Sequence, residues 1–521
     1  MDDVAVTFGD KRTVIAATPE PPAPLRDKLL AGAFFGPRHQ AGAERVAGFR
    51  FLAPAEALAE WFGARAARRL VADPEHCRAA LDRDVAAIDA LISVQLDAVL
   101  HHPRLRRFEG SWRGLAWLVD GVDPTGRVKV KLLSIAWPEL CRDLERAAEF
   151  DQSQLFRKVY EEEFGSAGGQ PYGLLVVDHE IRHRPMPGAP TDDVTALGQL
   201  ASAAAAAFAP TVLAASPALL QVEEFADLGA VTDLPELFRS PEFQRFRGLS
   251  GREDMRFIGI TLPRVLARLP WLDDPARADG FRYSEYAPDV ASRVWMTAGY
   301  AFAAVVARAF DNHAWPADVR GSETDFVGGG LVTDLPIESF RTDPDHVWVR
   351  PPLDLVLSDR IEAALVAAGL MPLSALPYGE EAVFSAVRSL QAPAGLIGRN
   401  AAAANANARL SVQLNAMLCV SRFAHFVKIM GRDMVGSFKT AEEIESRLQQ
   451  WLTGYVNSSL SAGPETRARY PLIAGRVSVR EQVGRPGVFG CTMLLQPHFQ
   501  LDDVSATFRL VTDLDAPGLR A

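Results

Sequence analysis

Between Leu410 and Val511 the apolar residues change their period from that of a helix to that of a strand, and no other feature constrains the fold as tightly. Leu410, Leu414, Met417, Ala424, Val427, Met430 and Met434 step by three, four or seven, which predicts one apolar stripe on a long helix. Thr440 with Glu443 forms a capping box for a second helix, whose Ile444, Leu448, Trp451 and Tyr455 share a face. Residues 476–483 and 488–496 then flank Gly484-Arg485-Pro486-Gly487, a hairpin signal. In the last run, 504–511, Val504, Ala506, Phe508 and Leu510 alternate with Ser505, Thr507 and Arg509, so one face is buried and the other wet. Two helices packed on a small antiparallel sheet are expected.

A chain of 521 residues is too long for one hydrophobic core, and two or three packed regions are expected. Residues 1–50, rich in Pro, Ala, Gly and charge, read as a partly flexible extension with one amphipathic piece at 25–35. Residues 54–101 show helical spacing at Leu58, Trp61, Phe62, Leu70, Val85, Ile88, Leu91, Ile92 and Leu96. Residues 115–119 and 128–133 flank Asp123, Pro124 and Gly126, which predicts a hairpin. Pro138 opens a helix expected to run through Phe164. Strands are expected at 173–177 and 256–262 and a helix at 294–310. The break at 395–407 sets the expected domains at 51–394 and 395–521, and the class is α+β, a mixed α/β region followed by the helix-and-sheet region.

Hydrophobic residues make up 48% and charged residues 23% of the chain, the balance of a folded protein. The formal charge is −10, from 65 acids against 55 bases, so the surface repels a phosphate backbone and nucleic acid is not an expected partner. Arg104, Arg106 and Arg107 form a basic cluster soon followed by acids, which reads as a solvated face. Cys77, Cys141, Cys419 and Cys491 form no CxxC pair, which fits reduced thiols and a cytoplasmic location. The N-terminus is acidic where a signal peptide is basic. Residues 197–216 and 294–310 are apolar but interrupted by Gln199, Pro210 and Arg308, short of the about 20 clean residues a bilayer needs, so they read as buried helices without membrane insertion.

His179-Glu180-Ile181-Arg182-His183 matches HExxH, the motif in which two histidines one helical turn apart bind zinc beside a glutamate base. The motif needs a helix, because residues four apart on a strand stand about 13 Å from each other. A strand-like run leads into it, Pro185 and Pro187 follow, and only Asp192 and Asp193 offer a third ligand nearby. The expected reading is a strand end with surface histidines and no metal. Gly328-Gly329-Gly330 lacks the Lys of a phosphate loop and reads as a tight turn. Trp112, Trp117, Trp295 and Trp451 read as core. No GxSxG elbow occurs, so neither a catalytic residue nor a cofactor is expected.

Several separate stretches resemble one family. They are Phe108-Glu109-Gly110-Ser111-Trp112-Arg113-Gly114-Leu115; Glu149-Phe150-Asp151-Gln152-Ser153 with Val159-Tyr160-Glu161-Glu162-Glu163-Phe164-Gly165; Leu262-Pro263-Arg264; Gly328-Gly329-Gly330-Leu331-Val332; Asn405-Ala406-Asn407-Ala408-Arg409-Leu410-Ser411; Ser421-Arg422-Phe423-Ala424-His425; and Arg469-Tyr470-Pro471-Leu472 with Pro497-His498-Phe499-Gln500-Leu501. In this order they resemble the TssC/VipB family, the large subunit of the type VI secretion contractile sheath. The resemblance implies a structural protein that pairs with a small TssB/VipA-like sheath subunit. It also implies stacking with other sheath protomers on a baseplate around an Hcp tube, and disassembly by a ClpV-type ATPase, for which 25–35 is the available N-terminal helix.

Exchanged strands lace such sheaths, and Val504, Ala506, Phe508 and Leu510 suit that role because an edge strand offers unpaired N–H and C=O groups. Arg422, Lys428 and Arg432 are expected to face the tube. A phage-type or extracellular contractile sheath, built from one chain, and a zinc hydrolase using His179, Glu180 and His183 are the rival readings.

Overall fold

The structure is a computed structural model that describes residues 23–33, 37–166, 168–231, 233–278, 280–322, 327–376, 379–393, 405, 408, 411–434, 440–459, 462–481, 489–498 and 508–514. The expected domain boundary near 395 lies outside the described residues. By its contacts the chain divides into two compact units, residues 1–102 with 270–286, and residues 103–269 with 287–521.

The first unit is helical. Its longest element, α1 (Pro74–Leu100), starts where Asp73 accepts the His76 N–H and Pro74 supplies a pre-set φ. Midway along it the buried Asp84 accepts Arg26 Nε on both oxygens at 2.8 Å and Trp61 Nε1 at 2.9 Å. A buried carboxylate is tolerable only with such partners. Arg26 belongs to the helix Leu25–Leu30, whose Leu25 is also buried. The described part of the expected N-terminal extension is therefore packed structure, tied to the same core as Trp61.

The second unit opens with α2 (Pro103–Asp120), which takes up residues 115–119, expected as one arm of a hairpin. A short continuous apolar run does not reveal its period. In the structure its buried residues are Gly110, Gly114 and Leu118, four apart, the signature of a helix face. Residues 128–133, the other arm, pair with no strand among the described residues. Gly110 and Gly114 let α2 press close: a Cβ on Gly110 would lie 2.1 Å from the Trp295 carbonyl oxygen, and one on Gly114 2.5 Å from the Tyr300 ring.

The helix expected over 138–164 is broken. Its first part is Trp137–Arg146, Ala147 is extended, and a new helical run begins at Gln154. Ser153 caps that run by accepting the Phe156 N–H, and Asp143 accepts the N–H groups of Gln154 and Leu155 at 3.0 Å. Polar caps thus begin a second helix within a stretch whose apolar spacing reads as continuous.

A parallel sheet forms the centre, ordered β1 (Leu175–Ile181), β2 (Thr211–Ala215), β3 (Ile258–Leu262) and β4 (Met371–Pro372). Every residue of β2 and β3 is buried, as a parallel sheet covered on both faces requires. The helix α3 (Asp193–Ala207) connects β1 to β2, and α4 (Ala298–His313) is buried along most of its length. The apolar stretch 197–216, expected as one buried helix, is instead divided between α3 and β2, with the left-handed Phe208 ending the helix, whereas 294–310 falls largely on α4. Among the described residues no single helix is long and apolar enough to cross a membrane. Gly329, at φ +60°, and Gly330 pass so close to the main chain of Arg320, Gly321 and Phe384 that a Cβ on either would collide, so the glycine run is a tight turn.

The C-terminal region holds α5 (Leu414–Met434), α6 (Ala441–Thr453) and an antiparallel sheet ordered β5 (Leu472–Glu481), β6 (Phe489–Pro497) and β7 (Phe508–Leu514). The capping box is present, with Thr440 Oγ1 accepting the Glu443 N–H. The hairpin connection at 482–488 lies outside the described residues. Trp315 stacks on Phe423 of α5 at 4.3 Å and meets Tyr455 edge-on at 4.9 Å, while Trp451 of α6 packs against Phe423 and Tyr455. The core residues of the parallel sheet and of the C-terminal sheet belong to one continuous cluster.

Candidate functional site

The sheet order β5-β6-β7 leaves two edge strands, and the structure treats them differently. Along the outer edge of β5, Val477 N–H donates to Gln449 Oε1 at 2.8 Å, Gln449 Nε2 donates to the Gly475 carbonyl at 3.0 Å, and Val479 N–H donates to Glu445 Oε2 at 2.8 Å. Two side chains one turn apart on α6 thus occupy the groups that a neighbouring strand takes elsewhere. At the start of the strand, Leu472 exchanges main-chain hydrogen bonds with Tyr455 and Asn457. The β5 edge is closed.

On the other side β7 pairs with β6, Phe508 opposite Leu495 and Leu510 opposite Met493, and has no second strand partner among the described residues. This strand carries two of the four positions expected to exchange, Phe508 and Leu510. Val504 and Ala506 lie outside the described residues, and the described strand runs on to Leu514.

The HExxH residues do not take up the helical geometry that the zinc motif needs. His179 and Glu180 lie on β1, so they face opposite sides, and His183 follows the strand. The expectation of surface histidines is corrected: His179 is 4% and His183 5% exposed. The His179 ring stacks on Trp137 at 4.1 Å, with Nε2 3.3 Å from Asp193 Oδ2. Asp193 also accepts Trp137 Nε1 at 2.8 Å, Thr191 Oγ1 at 2.8 Å, and Arg182 Nε at 3.1 Å. Burial alone raises this carboxyl, but the bond and charge of His179 with those of Thr191 and Trp137 hold it well below the usual carboxylate range. His183 stacks on Phe243 with Nδ1 3.1 Å from the Ala218 carbonyl. Among the described residues no group of three or more His, Cys, Asp or Glu is placed to hold a metal ion.

Glu180 accepts Arg264 Nε at 2.6 Å and Nη2 at 2.8 Å, a bidentate pair that ties the end of β1 to the turn after β3. Arg264 N–H donates to the buried Asp354 at 2.8 Å. Burial pushes the Asp354 carboxyl up to about 7 against the pull of Arg264. Two such buried clusters at the ends of β1 and β3 anchor strands.

The three cations expected to face a tube have internal partners. Arg422 lies 4.7 Å from the Phe426 ring centroid and 5.2 Å from that of Phe310, and burial lowers its pKa. Lys428 Nζ donates to the Tyr160 hydroxyl at 3.0 Å, and Arg432 Nη1 donates to the Phe164 carbonyl at 3.1 Å. Of the tryptophans read as core, Trp112 is instead exposed, next to the exposed Phe108 at 6.2 Å between ring centroids.

Two family models and one relative of known name show the family of this chain. The EvpB/VC_A0108 tail sheath N-terminal domain matches residues 82–391, and the EvpB/VC_A0108 tail sheath gpW/gp25-like domain matches residues 403–514. The type VI secretion system sheath protein TssC1 of Pseudomonas aeruginosa is 37% identical over 435 residues, which cover 82% of this chain and 85% of that protein. A chain from the cryo-EM structure of the anti-feeding prophage baseplate is similar at 10% identity with a TM-score of 0.33, over 77% of this chain and 86% of that one. The matched domains are those of tail sheath proteins. Within that class, the chain belongs to the VipB (TssC) family, the large sheath subunit of type VI secretion systems.

Proposed function

We propose that this chain pairs with the small sheath subunit, polymerises in the cytoplasm around the Hcp tube above a baseplate, and contracts to propel the tube. The observation that carries the proposal is the asymmetry of the C-terminal sheet: one edge is closed by Gln449 and Glu445, and the other ends at β7. A strand from a neighbouring protomer adds there, with Phe508 and Leu510, and with Val504 and Ala506 before them, serving the exchange. Each hydrogen bond so formed nets only about 0.5–1.5 kcal/mol, but the links repeat along a filament and hold protomers together while other contacts rearrange.

In this reading the chain has no catalytic role, and the segment 25–35 is the one offered to a ClpV-type ATPase, which would have to draw Leu25 and Arg26 out of their contacts. The tube contact of the Arg422, Lys428 and Arg432 region is part of the same proposal. Because those side chains also hold the fold, charge reversal there is read by tube association together with thermal melting. Co-expression with the small subunit, followed by electron microscopy, tests the whole proposal: filaments that require both chains support it. Filaments from this chain alone favour a one-chain phage-type sheath, and stoichiometric zinc lost on His183→Ala favours the hydrolase.

A further inference from the structure

Among the described residues, the main chain of 128–135 has no hydrogen-bond partner. From 128 to 136 the chain runs without helix, strand, turn or bend, so it is extended, at about 3.3 Å per residue. Among the described residues none of the main-chain N–H or C=O groups of 128–135 makes a hydrogen bond within the protein. The side chains are equally uncovered: Val130 is 42% exposed, Leu132 59%, Leu133 46% and Ile135 42%.

The segment is nevertheless held in place. At one end Arg127 N–H donates to Asp311 Oδ1 at 2.8 Å. At the other, Ala136 N–H donates to Glu139 Oε2 at 3.2 Å and its carbonyl accepts the N–H groups of Glu139 and Leu140. Between them Lys131 pairs with Glu163 and lies over the Tyr172 ring. An extended segment staked at its ends and middle, with β-branched and apolar residues and free backbone groups, is a ready template for strand addition.

We infer that residues 128–135 are a second strand-addition edge, separate from the C-terminal sheet, which receives an acidic, alternately apolar strand of the small sheath subunit. Charge selects the kind of strand. The segment carries Lys129 and Lys131 and follows Arg127, with no acidic residue; Lys131 is matched by Glu163, so Arg127 and Lys129 keep this edge basic in a chain whose net charge is −10. Pairing this edge with the same edge of another copy brings like charges together, so a different, acidic chain is the occupant. The inference rests on the sheath reading for the identity of that chain.

The test is hydrogen exchange read by mass spectrometry on this chain alone, on this chain alone at high concentration, and on the pair co-purified with the small subunit. Amides of 129–135 are expected to exchange at least about 100-fold more slowly in the pair and to stay unprotected in the chain alone at either concentration. Val130→Pro, which removes an N–H that has no partner in the isolated chain, is expected to leave melting unchanged, abolish the protection and weaken pairing at least about tenfold. Val130→Thr is expected to behave as the parent. A pair that forms with 129–135 unprotected, or protection that appears in the chain alone at high concentration, overturns the inference and leaves the sheath reading standing. Failure of the two chains to associate overturns the sheath reading and the inference with it.

Discussion

The side-chain amide of Gln449 meets the main chain of Val477 as a neighbouring strand would, accepting its N–H at 2.8 Å while donating to the Gly475 carbonyl two residues earlier at 3.0 Å. Glu445, one turn before Gln449 on α6, accepts the next outward N–H, that of Val479. A helix laid across a sheet edge has thus closed it with two side chains, which is why the proposed strand addition is assigned to the opposite edge.

Removing this closure has a defined cost. Gln449→Ala leaves the Val477 N–H and the Gly475 carbonyl without partners and is expected to destabilise the second unit by about 1–3 kcal/mol in chemical denaturation. Gln449→Glu keeps the acceptor but loses the donor and is expected to fall between Gln449→Ala and the parent. Equal stability of all three proteins contradicts the role assigned to the amide.

Asp354 gives a pH dependence of known sign. Its carboxyl, pushed up to about 7 by burial against the pull of Arg264, keeps a proton in the folded state at pH values where the unfolded chain, near 3.9, has released it. Its contribution to stability is therefore greatest below about pH 4 and is lost as pH rises through 7. The denaturation midpoint of the parent, taken relative to that of Asp354→Asn, is expected to decline across this window. A relative midpoint that rises contradicts the assignment.

The histidines of the HExxH motif act in packing. Treatment with EDTA is expected to leave the melting temperature unchanged. His179→Ala, which removes the ring stacked on Trp137 and a partner of the buried Asp193, is expected to lower it. Differential scanning calorimetry reads both, and a drop on chelation reopens the metal reading.

At Gly110 two effects oppose each other. Alanine is favoured over glycine within a helix by up to about 1 kcal/mol, but here its Cβ would lie 2.1 Å from the carbonyl oxygen of Trp295, a main-chain atom that has little room to move. Overpacking costs about 1–3 kcal/mol and wins. Gly110→Ala is expected to destabilise the protein, whereas Ser111→Ala, which removes only a hydroxyl bonded to the Arg107 carbonyl on the same helix, is expected to be near neutral in the same denaturation experiment.

Much of the helix-and-sheet region was legible because period and caps agree there: the stripe from Leu414 to Met434, the box at Thr440 and Glu443, and the paired strands each carry their own local signal. The errors fall where one signal stood alone. Residues 115–119 are apolar without a period, and the glycines that seat α2 against Trp295 and Tyr300 respond to residues far away in sequence. The stripe over 138–164 hid a break made by Asp143 and Ser153. The strand context of His179 was readable from the neighbouring prolines and the run before it, but its burial against Trp137 and Asp193 was not. For Gln449 and Glu445 the sequence offered a faint cue, a polar pair one turn apart beside an apolar stripe, and their partners on β5 emerge only when the chain folds.

The central claim is that an open strand edge, rather than a reactive side chain, is the working part of this protein. Deletion of residues 503–521, which removes β7, in a chain co-expressed with the small sheath subunit tests it most directly by electron micrographs of the purified material. The account predicts a soluble pair that elutes as a heterodimer and forms no filaments, while the full-length chain forms them. Filaments of normal length and appearance from the truncated chain would contradict it.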